Sequence, residues 1–167
     1  LVYADVSVPA GFPGGDVELY FRAHSPVTST EDAIHDQVGV TVLRGLALTP
    51  NNTAQVLPGG FVVYTHTLAN NGTLLEGDGV GSTVTFTGAD NQPSWSSALY
   101  WDTNGSGVFD AGDQPLASLT AMGGLAPGAT LRVFVQVFAP AGAPLGTLNT
   151  TTITATTANV GYTDPAP

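Results

Sequence analysis

Apolar and polar residues alternate one for one in short runs along this chain, and that period confines it to β-strands. The clearest runs are Val38–Arg44, Phe61–Ala69, Gly81–Gly88, Ser97–Trp101, Thr130–Phe138 and Thr147–Thr157. β-Branched residues fill them, as in Thr83-Val84-Thr85-Phe86-Thr87. Turn clusters such as Leu57-Pro58-Gly59-Gly60, Asn70-Asn71-Gly72 and Ala126-Pro127-Gly128 separate them. About seven strands so spaced describe an all-β, antiparallel, immunoglobulin-like sandwich. A helix is indicated at one place. Thr28-Ser29-Thr30-Glu31 has the form of a capping box ahead of Asp32–Gln37, with a polar loop as the alternative.

The chain also repeats itself. Val2–Gly15 returns as Val133–Gly146, each copy carrying Pro-Ala-Gly-x-Pro-x-Gly after an alternating strand. A second strand follows each, Asp16–Ala23 and Thr147–Thr157. The expected organisation is therefore out of phase with its own domain. Residues 1–24 form a hairpin echoing the end of a preceding repeat, and 25–44 a linker with a short helix and a connecting strand. Residues 45–160 form the sandwich, and 161–167 begin a further linker. A two-stranded hairpin alone is marginal in water. Val2, Val6, Val8, Leu19 and Phe21 must then pack on this sandwich or on a neighbouring molecule, which makes them the expected assembly interface.

Charge excludes several functions. Thirteen acidic residues face three basic ones, all Arg, for a formal net charge of −10. Nucleic-acid binding and anionic membrane surfaces both need a basic footprint, which this chain lacks. There is no Cys, so disulfides and thiolate chemistry are excluded. With 43% hydrophobic and 10% charged residues the chain has the means to fold. None of its apolar runs approaches the roughly 20 residues of a membrane helix, so no insertion is expected. Such a composition is expected outside a cell. His24, His35 and His66 have no metal-type spacing.

One loop carries chemistry. Asp102-Thr103-Asn104-Gly105-Ser106-Gly107-Val108-Phe109-Asp110-Ala111-Gly112-Asp113 has the spacing of a calcium loop. Asp102, Asn104, Ser106, Asp110 and Asp113 supply side-chain oxygens, Val108 its carbonyl, and Gly107 the turn. Calcium needs six to eight oxygens and no His or Cys, and the metal would neutralise carboxylates gathered on one loop. A solvated hairpin turn is the alternative reading. The nearby aromatics Trp95, Tyr100, Trp101 and Phe109 offer either sugar stacking, through Trp95 and Trp101, or core packing over the loop.

Val56-Leu-Pro-Gly-Gly-Phe-Val-Val-Tyr-Thr-His-Thr-Leu-Ala-Asn-Asn-Gly72, the Leu125-Ala126-Pro127-Gly128-Ala129 turn and the Pro140-Ala141-Gly142-x-Pro144 turn before a Thr-rich strand resemble the conserved repeat domain of bacterial cell-surface proteins. The loop at 102–113 is similar to those of dockerin-like repeats. The resemblance implies an extracellular immunoglobulin-like module, usually in tandem copies, with no catalytic residues. The function expected is that of a non-enzymatic structural module of a bacterial surface assembly (filament, surface layer or stalk). Its neighbours would be further copies of itself, joined through the N-terminal strands, and calcium its cofactor. An adhesin or carbohydrate-binding module meeting surface polysaccharide is the alternative.

Overall fold

The computed structural model describes residues 3–9, 12 and 14–159. Among them nine antiparallel strands run β1 (Gly15–His24), β2 (Glu31–Val40), β3 (Leu46–Thr49), β4 (Phe61–Asn70), β5 (Ser82–Asp90), β6 (Ser96–Trp101), β7 (Gln114–Pro115), β8 (Thr130–Phe138) and β9 (Thr151–Asn159). Among the described residues the helical content is a single 3₁₀ turn at Thr120–Met122. Strands β3–β9 build an antiparallel β-sandwich, and β1–β2 stand apart as a ribbon.

Alternation decides which side chains meet. On β8, Val133, Val135 and Val137 face inward and are buried, each beside its β4 partner: His66, Tyr64 and Val62. Leu68 on β4 and Val84 and Phe86 on β5 complete the core, with Leu116, Leu119 and Leu125 from the connections. One sheet has the order β3-β4-β8-β6-β7; the other contains only β5 and β9. The β3-β4-β8-β6 order opposed by the second pair is the immunoglobulin-type arrangement. On its other side β5 bonds to the segment after β7, through Phe86 N to Ala117 O and Leu119 N to Val84 O.

Asn70 closes the β4 turn from within. Fully buried, it donates from Nδ2 to the carbonyls of Leu74 and Leu125, both at 2.7 Å, and accepts from Gly72 N at 2.9 Å. Gly72 is required there, since a Cβ would stand 2.5 Å from Leu43 O. Backbone bonds Asn71 N to Gly45 O and Thr73 N to Leu43 O stitch the segment leading out of β2 onto this turn.

The N-terminal region differs from expectation. Residues 3–9 form no strand, so the expected Val2–Val8 strand is absent over its described part; Val2 itself lies outside the described residues. The hairpin pairs β1 with β2 instead, from Gly15↔Val40 to His24↔Glu31. Neither the helix at Asp32–Gln37 nor the loop alternative forms, because that stretch is β2. Its Ser/Thr cluster closes the hairpin turn rather than capping a helix. Ser25 N donates to Thr30 O and Ser29 N to Ser25 O, both at 2.9 Å, and Ser29 takes a positive φ of 53°. Cross-strand pairs Val17↔Val38 and Phe21↔Ile34 give the segment apolar neighbours in the extended form. Half of the linker expected at 25–44 is thus strand, and β3 and β7 are too short to show alternation in the sequence. The tail expected at 161–167 lies outside the described residues.

Candidate functional site

Residues 102–113 leave the end of β6 and fold back over the outer face of the larger sheet. Phe109 is the anchor. Its ring lies 4.9 Å from Tyr100 and 5.8 Å from Phe134, which is 1% exposed. Of the expected aromatic cluster, Tyr100 and Phe109 thus pack at the loop with Phe134, while Trp95 and Trp101 pack against the core.

Asp102 is the loop's centre. Its Oδ1 accepts from Ser106 N at 3.1 Å, and its Oδ2 from Gly107 N at 3.0 Å and Arg132 Nη1 at 2.8 Å. Burial pushes its pKa up, but hydrogen bonds from Gly107, Arg132, Gly105 and Ser106 outweigh that and hold it below the usual carboxylate value. Asp110 also lies low, held by Asn104, whose Nδ2 donates to both its oxygens at 3.1 and 3.2 Å, and by Gly112 N. Ser106 Oγ donates to Val108 O at 2.8 Å. Asp113 Oδ2 accepts from Asp110 N at 2.8 Å, which turns the carboxylate back toward the loop, while its buried Oδ1 has no partner.

The six expected ligands therefore share one compact loop, bonded mostly to one another. Among the described residues no three carboxylates or imidazoles converge as a formed metal centre. The one feature of the loop that leaves room for a cation is Asp113, a residue 8% exposed, whose Oδ1 has no partner. Arg132 is the participant sequence reasoning missed. It shares the outward face of β8 with Phe134, and a large apolar residue on that face was the available sign that something covers it.

Asp78 is a third depressed carboxylate, accepting from the backbone N–H of Ser82, Gly81 and Val80. A folded-state pKa below the unfolded value of about 3.9 adds stability that is complete above that value and lost as pH falls through the folded one. The melting temperature of the wild type should therefore fall more steeply below about pH 4 than that of a variant carrying Asp78→Asn and Asp110→Asn. Parallel curves would contradict this.

Trp95 and Trp101 bracket β6, and both pack half-buried against the core. Trp95 lines a hollow of about 60 Å³ with Val56 and Pro58, well below the roughly 300–1,000 Å³ of small-molecule sites. Placed some six residues apart along a strand rising about 3.3 Å per residue, they are not joined into one stacking platform.

The interface residues separate into two groups. Leu19 and Phe21 share one ribbon face with Val17, Ile34, Val38 and Val40. Val6 and Val8 lie outside the ribbon, 48% and 49% exposed. No residue of the ribbon is buried. Its other face carries exposed polar contacts: Tyr20 stacked on His35 at 4.8 Å, Arg22–Glu31 at 3.5 Å and His35–Glu18 at 3.6 Å. Comparison of the chain with family models, with curated proteins and with solved structures finds no match.

Proposed function

We infer that this chain is a non-enzymatic structural module of an extracellular bacterial surface assembly, joined to its neighbours through the N-terminal ribbon and stabilised by calcium in the 102–113 loop. The observation that carries the reading is the ribbon itself. Of its twenty strand residues, half form one largely apolar face with nothing buried beneath it, beside a sandwich that has its own core. A two-stranded sheet of this kind is marginal alone, and in an array the neighbouring module supplies the cover. The net charge of −10 suits a cation-rich exterior. The resemblance of the turns and strands to surface-protein repeats points the same way. Antibody raised against the chain should label intact, unpermeabilised cells of the source organism; labelling only after permeabilisation overturns the surface assignment.

Calcium has its own test. Asp102→Ala is unsuitable, because the same carboxylate also holds Arg132 and two loop amides and its loss weakens the fold with or without metal. Asp113→Asn removes charge at the unpartnered oxygen and leaves the other oxygen to accept from Asp110 N. At a hundredfold excess over Kd, calcium should stabilise the wild type by about 2.7 kcal/mol. That corresponds to a rise of roughly 5–10 °C in Tm. Asp113→Asn should lose most of this rise while melting like the wild type in chelator. A wild type indifferent to calcium removes the metal from the account.

A further inference from the structure

The two sheets are unequal, five strands against two. Because β5 bonds on one side to the segment following β7, the free edge of β9 faces the β3–β4 end of the larger sheet. There Leu46, Leu48, Val62 and Tyr64 pack against the core yet stay only half-buried. Among the described residues β9 pairs with β5 alone. Its sequence, TTITATTAN, has neither charge nor Pro, so nothing blunts the edge against another strand.

We propose that the free edge of β9 accepts the ribbon of a second copy of this chain, β2 pairing against β9 and the ribbon's apolar face closing over the β3–β4 end of the core. The proposal rests on the reading of the chain as one module among many and names the joint. Three features favour this occupant. The segment entering β1 echoes the segment entering β9, and β1 already takes β2 as its antiparallel partner, so a strand of β1's kind is matched to β2. Sheet widths agree as well, since a two-stranded ribbon beside two strands gives four opposite five. Charge selects the partner too: Glu31, Asp32 and Asp36 on β2 repel a second β2 but meet no charge on β9. Asp32 and Asp36 share the apolar face of the ribbon, which sets how the joint can be broken. Because donor and acceptor differ, the contact is head-to-tail, and it propagates from copy to copy unless the rotation between copies closes it into a ring or a reciprocal exchange.

Two single substitutions at exposed positions separate the halves. Ile34→Glu places a charge on the ribbon face at a residue 59% exposed, leaving β9 intact. Thr157→Asp places one on the inward side of β9, at an exposed position paired across to the core residue Val84 and against the ribbon's own carboxylates, leaving the ribbon intact. Phe21→Glu serves as a second ribbon variant. By sedimentation velocity the wild type should grow through successive multiples of its mass as concentration rises. Each variant alone should stay monomeric, and an equimolar mixture of Ile34→Glu with Thr157→Asp should stop at a one-to-one heterodimer. Dimers of Ile34→Glu alone mean β9 pairs with β9, and dimers of Thr157→Asp alone mean ribbon pairs with ribbon; either overturns the proposal. A wild type that stays monomeric throughout also overturns it, as when a later strand of the same chain fills the edge. Labelling of intact cells would then still decide the wider reading.

Discussion

Replacing Arg44 with Met should cost about 3–5 kcal/mol, the range for leaving a buried charge without its partner. Glu76 is 1% exposed, and its Oε2 accepts from Arg44 Nη1 and Ser82 Oγ, both at 2.9 Å. Arg44 lies in the segment between ribbon and sandwich, with its side chain 22% exposed. Glu76 Oε1 has no partner even with Arg44 present, so the carboxylate has no reserve when the cation goes. Adding Glu76→Met to Arg44→Met should recover part of the loss, since an apolar pair of similar volume often matches a buried ion pair. The exposed pair Arg22–Glu31 is the contrast: Arg22→Met should change stability by less than about 1 kcal/mol. Equal losses for Arg44→Met and Arg22→Met in urea unfolding would show that burial of Glu76 is not what makes Arg44 matter.

Asn70→Ala should remove about 3 kcal/mol, at about 1 kcal/mol for each of three hydrogen bonds. The expected drop in Tm is roughly 6–12 °C. The fully buried side chain ties the β4 turn to the carbonyl of Leu125 on a distant connection. Its neighbour Asn71 is exposed, and Asn71→Ala should leave Tm nearly unchanged. If the two substitutions behave alike, the buried network is not what holds the turn.

Within the sandwich the long strands were legible and the shortest were not, for a physical reason. β4, β8 and β5 show many alternations, and their observed limits lie within two residues of the sequence runs. β3 has four residues and β7 two, too few to display a period, and their pairing comes from their neighbours. The Ser/Thr cluster at 28–31 supports a helix cap or a polar loop on local evidence and is neither, because helix caps and hairpin turns use the same hydroxyl chemistry. Phe21 and Ile34, paired across the ribbon, make it a hairpin turn, which a local reading could not see. In the 102–113 loop the polar residues were legible from spacing. The roles of Arg132 and Glu76 were not, since each depends on a partner about thirty positions away: Asp102 for one, Arg44 for the other.

The central claim is that this chain works as one unit among many on a cell surface. The most direct measurement is the native mass of material released gently from intact cells of the source organism, set beside its denatured mass. The account predicts a native particle many times 17.0 kDa, the mass of the chain, with this sequence recurring through it. Its denatured subunits would be small if the units associate without covalent links and large if they are strung on one polypeptide. A released species with native and denatured masses both near 17.0 kDa would contradict the account.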